Sequence, residues 1–328
     1  MKLSLVICTH NPRRDYLNQT MAGLRRQSLP LLEWELILID NCSEKPLAGQ
    51  IDLSWHPHGR VVSEEELGLT AARQRGADEA VSELLLYVDD DNVLASDYLA
   101  QVLRLGREWP MLGAWGAGEL EGIFEIEPPE WTRAYYEHLT VHKVTDDRWT
   151  NQPDLNCFAP GAGLAVRRTA VRSYFNELGT NGIRRAFDRR GQSLSSSGDM
   201  DMLWTVTRQG WGVGRFTCLK LQHLIPARRL EESYLEKMVA SQWCSNILLR
   251  YVHGAHQPDR PENWLRRLSR WRYERTLLGR DRWFYDARRK GSEQAERIIA
   301  KLEQENGSIQ YDQAAALLAW ADEPKKGW

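Results

Sequence analysis

The chain has 328 residues, 42% of them hydrophobic, and a formal net charge of −2 at pH 7. This length and hydrophobic content can build one large domain with an extension, or two domains. The near-neutral charge excludes a global electrostatic attraction to nucleic acid. The five cysteines are odd in number and lack CxxC spacing, so we expect a reduced, cytoplasmic chain without a disulfide framework or a zinc site. The N-terminal apolar run is too short for a signal peptide, and no run is long enough to span a bilayer.

Short apolar runs alternate with helical patterns through the first 116 residues. Strands that alternate with helices indicate a mostly parallel sheet with helices on both faces. The predicted strands are residues 3–8, 34–39, 60–62, 84–88 and 112–116. The predicted helices are residues 15–27, 68–80 and 96–109.

Polar side chains follow three of these strands. Thr9 follows the first strand, Asp40 the second, and Asp89, Asp90 and Asp91 stand at the end of the fourth. Because ligands of such sheets bind at the carboxyl ends of the strands, these side chains are predicted to line one polar crevice. Three adjacent carboxylates repel one another, and Mg²⁺ or Mn²⁺ would relieve that repulsion. The alternative is a solvated acidic loop before the next helix, and this stretch alone leaves both interpretations open.

The rest of the chain is less regular. Tryptophan and tyrosine residues, among them Trp131, fall in an irregular stretch, and glycines at 161–163 then lead into a strand. Asp199 stands at the start of a predicted helix, and His223 follows another predicted strand. Beyond this strand the pattern is helical, so we predict a domain boundary near residue 226.

Seven short motifs follow one another along the chain, most of them at predicted strand ends. They are Cys8-Thr9-His10-Asn11, Asp40-Asn41-Cys42-Ser43, Gly68-Leu69-Thr70-Ala71-Ala72-Arg73, Asp89-Asp90-Asp91, Gly161-Ala162-Gly163, Gly198-Asp199-Met200-Asp201 and His223. In this order they resemble a family 2 glycosyltransferase with the GT-A fold. The resemblance implies an α/β fold with a Rossmann-like, mostly parallel central sheet and helices on both faces. It also implies a nucleotide-sugar-binding catalytic domain at 1–226 and a helical C-terminal extension at 227–328.

The resemblance further implies an activity and a set of site residues. The implied enzyme is a metal-dependent inverting glycosyltransferase that moves a sugar from a nucleotide-sugar donor to an acceptor hydroxyl. The donor is expected to be UDP-linked. The reaction would serve polysaccharide, glycolipid or other glycoconjugate synthesis. Asp91 and His223 are the implied ligands of Mn²⁺ or Mg²⁺, and Asp199 is the implied catalytic base. The implied donor-binding residues are Thr9, Asn11, Asp40, Asn41, Gly68, Arg73, Asp89, Asp90 and Gly163.

Two positions depart from the family pattern. The family usually has Glu-Asp where this chain has Gly198-Asp199, so one carboxylate is missing and the role of base falls to Asp199. Asp201 competes for that role and is a candidate for the acceptor site. The family's Arg-Asn pair appears here as Arg73-Gln74. Trp131 is a second acceptor-site candidate, because an aromatic ring can stack on a sugar, although aromatic clusters are more often core packing.

Two other functions fit parts of the pattern. A sugar-phosphate nucleotidyltransferase shares the α/β layout, but it would need a glycine-rich phosphate loop near the N-terminus, and residues 9–14 contain no glycine. A non-catalytic, glycosyltransferase-like scaffold would bind a nucleotide or a partner without turnover. Asp91 and Asp199 argue against the scaffold, whereas Gly198 keeps it open.

Residues 260–290 are rich in positive charge and in aromatic side chains. They contain eleven Lys or Arg against four Asp or Glu, with Trp264 and Trp271 among the interleaved aromatics. Such a helix can lie in a membrane interface, here the inner membrane surface near a lipid-linked acceptor. It can also pack its aromatic face on the catalytic domain with its arginines in water, and we favour this packing. Nucleic acid is not an expected partner, because no recognition motif accompanies the patch.

Overall fold

The computed structural model describes residues 1–190, 194–257, 263–305 and 309–318. The strands among them are β1 (Leu3–Thr9), β2 (Trp34–Asn41), β3 (Gly59–Glu64), β4 (Leu84–Asp89), β5 (Asn92–Leu94), β6 (Leu112–Phe124), β7 (His142–Lys143), β8 (Arg148–Thr150), β9 (Leu164–Arg167) and β10 (Gly212–Ile225). The α-helices are α1 (Arg14–Arg25), α2 (Leu69–Glu79), α3 (Tyr98–Glu108), α4 (Arg168–Leu178), α5 (Gly182–Arg185), α6 (Gly198–Arg208), α7 (Glu232–Val252), α8 (Trp264–Thr276), α9 (Gly279–Gln304) and α10 (Tyr311–Leu318). Short 3-10 helices lie at Leu31–Glu33, Glu130–Leu139 and Ala227–Leu230.

The strands form one sheet in the order β3-β2-β1-β4-β9-β6-β10-β5, with β7 paired to β6 and β8 paired to β10. The β3-β2-β1-β4 half is parallel, and so is the long pairing of β6 with β10. β9 runs antiparallel between β4 and β6, and β5 runs antiparallel to β10. Most paired residues lie in parallel ladders, so the predicted α/β class with a mostly parallel central sheet is confirmed.

Every residue of β1 and β2 is buried. This burial is expected of central parallel strands, because helices cover both faces of the sheet. On one face α2 lies very close to β1, where a Cβ atom on Gly76 would be 2.3 Å from Val6 Cγ1. Glycine at position 76 therefore lets the helix that carries Arg73 approach the sheet.

The C-terminal helices complete the core of the sheet. Leu248 of α7 and Ile298 of α9 belong to the same hydrophobic cluster as Val6 and Ile37 of the central strands. The predicted boundary near residue 226 lies between the end of β10 and the 3-10 helix Ala227–Leu230. The described part of the extension is helical, as predicted, and the cluster shows that it packs directly on the preceding α/β region.

The last described helix, α10, reaches back to the loop that precedes α2. The Tyr311 hydroxyl lies 3.4 Å from the carbonyl oxygen of Leu67, and a Cβ atom on Gly68 would be 2.6 Å from that hydroxyl. Gly68 has a φ of 145°, which residues with a side chain rarely adopt. The guanidinium of Arg190 lies 4.5 Å from the centre of the Tyr311 ring and holds the ring in place. α10 therefore supports the loop at the start of α2.

The packing interpretation of residues 260–290 holds for α9 and is wrong for α8. Phe284 and Ala287 of α9 are buried. In α8, by contrast, Trp264 is 71% exposed and Trp271 is 48% exposed. Residues 260–262 of this stretch lie outside the described ranges. None of the helices in those ranges combines the length and the apolarity needed to cross a membrane.

Candidate active site

A cavity of about 1300 Å³ opens at the carboxyl ends of β1, β2 and β4. The start of α2, the 160–162 loop, the start of α6 and the end of β10 contribute to its lining, and α7 forms a further wall. Ten of the fourteen residues predicted for the site line this cavity: Thr9, Asn11, Asn41, Gly68, Arg73, Asp89, Asp90, Asp91, Asp199 and His223. The structure thus brings residues from almost the whole α/β region into one crevice.

Three consecutive carboxylates end β4 and enter the turn before β5. Thr9 Oγ1 donates a hydrogen bond to Asp90 Oδ2. Burial, followed by the negative charge of Asp91, raises the pKa of Asp89, and the same two causes raise the pKa of Asp90 to about 7. Near neutral pH the three side chains therefore carry less than their full formal charge.

Asp91 and His223 face each other because β5 pairs antiparallel with β10. Asn92 is the register partner of His223, and the backbone N–H of Leu224 donates to the Asp91 carbonyl at 2.9 Å. His223 Nε2 lies 3.4 Å from Asp91 Oδ2. Arg229 donates to both atoms, at 2.9 Å to His223 Nε2 and 3.3 Å to Asp91 Oδ2. Burial opposes ionisation of Asp91, but His223 and Arg229 outweigh burial and hold the pKa of Asp91 below its usual range.

The donor atoms of Asp91 and His223 fit a divalent metal ion in kind. Mg²⁺ and Mn²⁺ favour carboxylate oxygens, and such ions commonly keep phosphate oxygens and water as further ligands. The described residues hold no group of three or more His, Cys, Asp or Glu that could bind a metal ion. A bound phosphate would therefore have to complete the coordination. Arg229 donates hydrogen bonds to Asp91 Oδ2 and His223 Nε2. These hydrogen bonds would have to break before a metal ion could bind the two atoms.

Asp199 lies in the first turn of α6 with its carboxylate held by two backbone groups. Oδ2 accepts a hydrogen bond from Gly161 N at 2.7 Å, and Oδ1 accepts one from Met200 N at 2.9 Å. Burial raises the pKa of Asp199 to about 6; the positive charge of Arg73 opposes this rise, and the negative charge of Asp188 adds to it. A fixed carboxylate with a pKa near neutrality, at the edge of a cavity, can accept a proton from a bound hydroxyl.

Asp188 brings to the site a carboxylate that the motif pattern does not contain. A Cβ atom on Gly198 would lie only 2.3 to 2.4 Å from the three carboxyl atoms of Asp188. Asp188 Oδ2 accepts hydrogen bonds from Thr70 Oγ1 at 3.0 Å and from Arg73 at 3.2 Å. The side chains of Arg73 and Asp188 are only 6% and 8% exposed. Asp188 therefore occupies the space where the family's usual side chain at position 198 would begin.

Asp40 was predicted to bind the donor, and the structure contradicts a direct contact. Its carboxylate is buried away from the cavity and accepts hydrogen bonds from the N–H groups of Ser43 at 3.3 Å and Leu47 at 2.8 Å. Asp40 thus fixes the turn after β2. The neighbouring Asn41 lines the cavity instead, and its Oδ1 accepts a hydrogen bond from Gly68 N at 2.8 Å.

Gly163 was also predicted to approach the donor, and it too lies outside the cavity lining. Its φ is 71°, and a Cβ atom there would be 2.5 Å from the Tyr98 hydroxyl. That hydroxyl donates to the Gly163 carbonyl at 2.6 Å. Glycine at 163 is required by this internal contact, whereas Gly161 and Ala162 line the cavity.

Asp201, the competing candidate for the base, is fully buried and does not line the cavity. Its carboxylate accepts a hydrogen bond from Arg184 Nε at 3.0 Å, lies 2.8 Å from His253 Nε2 and accepts another bond from the Tyr174 hydroxyl at 3.1 Å. These contacts use its acceptor capacity inside the core. The prediction that Asp201 acts at the base or acceptor site is therefore wrong.

Trp131, the predicted acceptor platform, packs against the C-terminal extension. Its ring centre lies 6.1 Å from that of Tyr135 and 6.5 Å from that of Phe284 in α9. The guanidinium of Arg280 covers the ring at 4.7 Å. The ring is therefore partly buried in an aromatic cluster and does not line the cavity, and its role as a sugar platform stays a prediction.

Several charged residues of the cavity were not predicted from the sequence. Among them are Asp188, Arg148, Arg189, Arg215 and Arg229. The signal available for Arg229 was its place six residues after His223, in the segment that leaves β10. For Asp188, the sequence offers only the glycine at position 198, where the family usually has a glutamate. Only the fold shows that the Asp188 carboxylate lies against this glycine.

The sheet order and the cavity at the strand ends define a GT-A fold. Residues 4–175 match the family described as Glycosyl transferase family 2. This match covers more than half of the chain, which therefore belongs to that family.

Solved structures share the fold at low sequence identity. S. aureus TarS 1-349 in complex with UDP-GlcNAc is 13% identical with a TM-score of 0.52, and the alignment covers 92% of each chain. The same protein in complex with UDP is 14% identical with a TM-score of 0.50, covering 93% of this chain and 92% of TarS 1-349. At these identities the likeness shows the fold alone.

A relative by sequence is EpsH of Bacillus subtilis (strain 168), which is provisionally described as a glycosyltransferase. It is 22% identical to this chain over 143 residues. The alignment covers 43% of this chain and 41% of EpsH, so the chain spans less than half the length of that relative.

Proposed function

We propose that the protein transfers a sugar from a UDP-linked nucleotide sugar to an acceptor hydroxyl, with inversion at the anomeric carbon. The observation that carries this proposal is the presence of Asp199, a fixed carboxylate with a pKa of about 6, in the same cavity as the Asp91–His223 pair. TarS, which shares the fold, has been solved with UDP-GlcNAc and with UDP, and this supports a UDP-linked donor. The polysaccharide, glycolipid and other glycoconjugate pathways all need such a transfer.

The donor nucleotide would lie over the ends of β1 and β2. We assign its base and ribose to Thr9, Asn11, Asn41 and Asp89, which line this part of the cavity. Gly68 would allow close approach of the backbone, because it carries no side chain. Arg73 and Asp90 line the same cavity and would fix its charge and shape.

A divalent ion, Mn²⁺ or Mg²⁺, would be held by Asp91 and His223 and would supply positive charge to the leaving diphosphate. Arg229 contacts both of these ligand atoms. Released from them, its guanidinium would add a second positive charge close to the diphosphate. The buried carboxylates around Asp91 thus prepare a site for cations at the point where negative charge develops.

Asp199 would act as the base in a single displacement. The acceptor oxygen forms a bond to the anomeric carbon while the bond to the diphosphate breaks, and Asp199 takes the proton of the acceptor hydroxyl. Attack from the side opposite the leaving group inverts the configuration at that carbon. Asp188 accepts hydrogen bonds from Thr70 and Arg73. We therefore assign the proton transfer to Asp199 and not to Asp188.

The base is tested by Asp199→Asn. This variant should bind UDP like the wild type in calorimetry, yet lose at least about 100-fold in transfer and in UDP release from a panel of UDP-sugars. Asp146→Asn is a matched control, because Asp146 is an exposed carboxylate outside the cavity. Wild-type turnover by Asp199→Asn would refute the role of base. Wild-type protein that fails to bind UDP, with or without Mn²⁺, would refute the donor assignment and favour a different enzyme class or a non-catalytic scaffold.

We also propose that α8 rests on an anionic membrane surface, such as the inner leaflet on the cytoplasmic side, near a lipid-linked acceptor. Trp264, Leu268 and Trp271 recur at helical spacing, and all three are exposed. The guanidinium of Arg275 lies 3.8 Å from the centre of the Trp271 ring on the same side of the helix. Exposed apolar rings with adjacent arginines fit the interface between headgroups and acyl chains.

A further inference from the structure

Two arginines and a histidine, on strands that pair around β6 and β10, form one wall of the cavity. They are His142 of β7, Arg148 of β8 and Arg215 of β10, and all three line the cavity. Arg148 and Arg215 are direct register partners in the antiparallel pairing of β8 with β10. Their side chains therefore project from the same face of the sheet.

Two like charges at opposed positions of a strand pair are unfavourable unless something negative lies between them. Arg215 donates only to backbone carbonyls, those of Phe158 at 2.5 Å and Leu155 at 3.4 Å. Arg148 has no side-chain hydrogen bond or ion pair to any residue in the described ranges. Glu137, an exposed carboxylate of the cavity lining, acts on Arg215 only through its charge. Burial, with the charge of Arg148 adding to it, lowers the pKa of Arg215. The pair thus lacks a carboxylate partner in this structure.

His142 contributes a ring to this wall. Its Nε2 is buried and has no hydrogen-bond partner among the described residues. Burial and the nearby charge of Arg215 lower the pKa of His142 to about 4, which keeps the ring neutral at pH 7.

Different arginines of the cavity act on different groups. Arg229 and Arg189 act on the carboxylates of Asp89 and Asp91, where the diphosphate is expected. Arg215, by contrast, acts on His142 and feels the charge of Asp199. Arg215 donates to the carbonyl of Phe158, and Asp199 accepts from the N–H of Gly161, so one short loop joins this wall to the proposed base.

We propose that His142, Arg148 and Arg215 form an acceptor subsite that binds an oxyanion, phosphate or carboxylate, carried by the acceptor sugar next to its reacting hydroxyl. This proposal rests on the proposed function and names the acceptor class within it. The two guanidiniums would donate to the oxyanion, which removes their mutual repulsion. His142 would lie beside the bound sugar as a neutral ring, and Asp199 would face the hydroxyl that reacts.

The test is calorimetry with the full chain saturated with UDP and Mn²⁺, so that the diphosphate site is filled. Three probes are titrated at one ionic strength: glucose, glucose 6-phosphate and glucuronate. Either charged sugar should bind at least about 10-fold more tightly than glucose, because charge-assisted bonds to arginine are the strong ones. Comparison of the two charged probes decides between phosphate and carboxylate.

Variants assign any binding to this wall. Arg148→Gln should weaken the preferred charged probe by about 10-fold, and Arg148→Lys should recover part of that loss. Arg148 is exposed, so these changes do not disturb the core. Arg133→Gln is the matched control, because Arg133 is 68% exposed and lies outside the cavity lining.

The outcomes separate this inference from the proposed function. Equal affinity for all three probes, no binding of either charged probe, or a charged probe whose affinity survives Arg148→Gln would each overturn the subsite. UDP binding and UDP release from UDP-sugars are measured in the same preparations. If those are present while the charged probes fail, the glycosyltransferase proposal stands and only the acceptor subsite falls.

Discussion

Asp188 occupies the space that a glutamate at position 198 would need. This relation can be tested by removing the Asp188 carboxylate and introducing a glutamate at position 198. Asp188→Ala leaves Arg73 as a buried cation without its partner, since both side chains are under 10% exposed. Loss of one partner of a buried pair costs about 3–5 kcal/mol in the free energy of unfolding. Gly198→Glu, alone, places a Cβ atom 2.3 Å from the Asp188 carboxyl group and brings two negative charges together, so it should cost at least about 1–3 kcal/mol.

The double variant Asp188→Ala/Gly198→Glu should be more stable than the sum of the two losses. Removal of the Asp188 side chain opens the space that the glutamate needs, and the glutamate supplies a new partner for Arg73. We expect a coupling free energy of at least about 2 kcal/mol, measured by urea unfolding followed with tryptophan fluorescence. Asp78→Ala serves as a control, because Asp78 is an exposed carboxylate on the same helix as Arg73. Strictly additive losses would show that Asp188 does not stand in for the missing side chain, and the reasoning would be refuted.

Three further predictions follow from the charges of the site and from α8. The pKa of Asp199 is raised to about 6, so the proposed base is protonated below that pH. The transfer rate should therefore fall about tenfold per pH unit below 6, while UDP binding, measured separately, need not fall with it. A transfer rate that stays constant down to pH 4 would contradict this. Arg229→Ala should tighten Mn²⁺ binding to the UDP complex by about tenfold in electron paramagnetic resonance titrations. The reason is that a charge-assisted hydrogen bond, worth roughly 1.5–3 kcal/mol, no longer holds Asp91. Weaker Mn²⁺ binding would instead show that Arg229 assists the metal. Leu268→Glu with Trp271→Glu should abolish sedimentation with phosphatidylserine vesicles without changing thermal stability, and unchanged sedimentation would rule out α8 as the membrane contact.

The strand ends were predictable because local sequence specifies them. A buried parallel strand is an apolar run, and the first polar residue after it must emerge at the carboxyl edge of the sheet. Thr9, Asp89, Asp90 and Asp91 were placed in this way, and the structure puts all four in the cavity. Their common edge follows from the right-handed alternation of strands and helices.

The residues that were missed or misplaced depend on contacts between distant segments. Asp188 reaches Arg73 across more than a hundred residues, and no periodic pattern encodes that approach. Asp40 occupies the predicted position in the chain, but two backbone N–H groups of its own turn capture the carboxylate. Asp201 differs from Asp199 only by the rotation of two helical positions, which is enough to turn it from the cavity into the core.

The contact between Tyr311 and the loop before α2 affects when this loop can fold during synthesis on the ribosome. Chain synthesis proceeds from the N-terminus, and N-terminal regions begin to fold while the rest is still being made. β1, β2 and β4 emerge early, yet the loop at Leu67 and Gly68 gains its contact with Tyr311 only after some 240 further residues have been added. A nascent chain therefore completes the contacts of this loop late. A chain stalled before α10 would present the acidic turn without a properly fixed loop beside it.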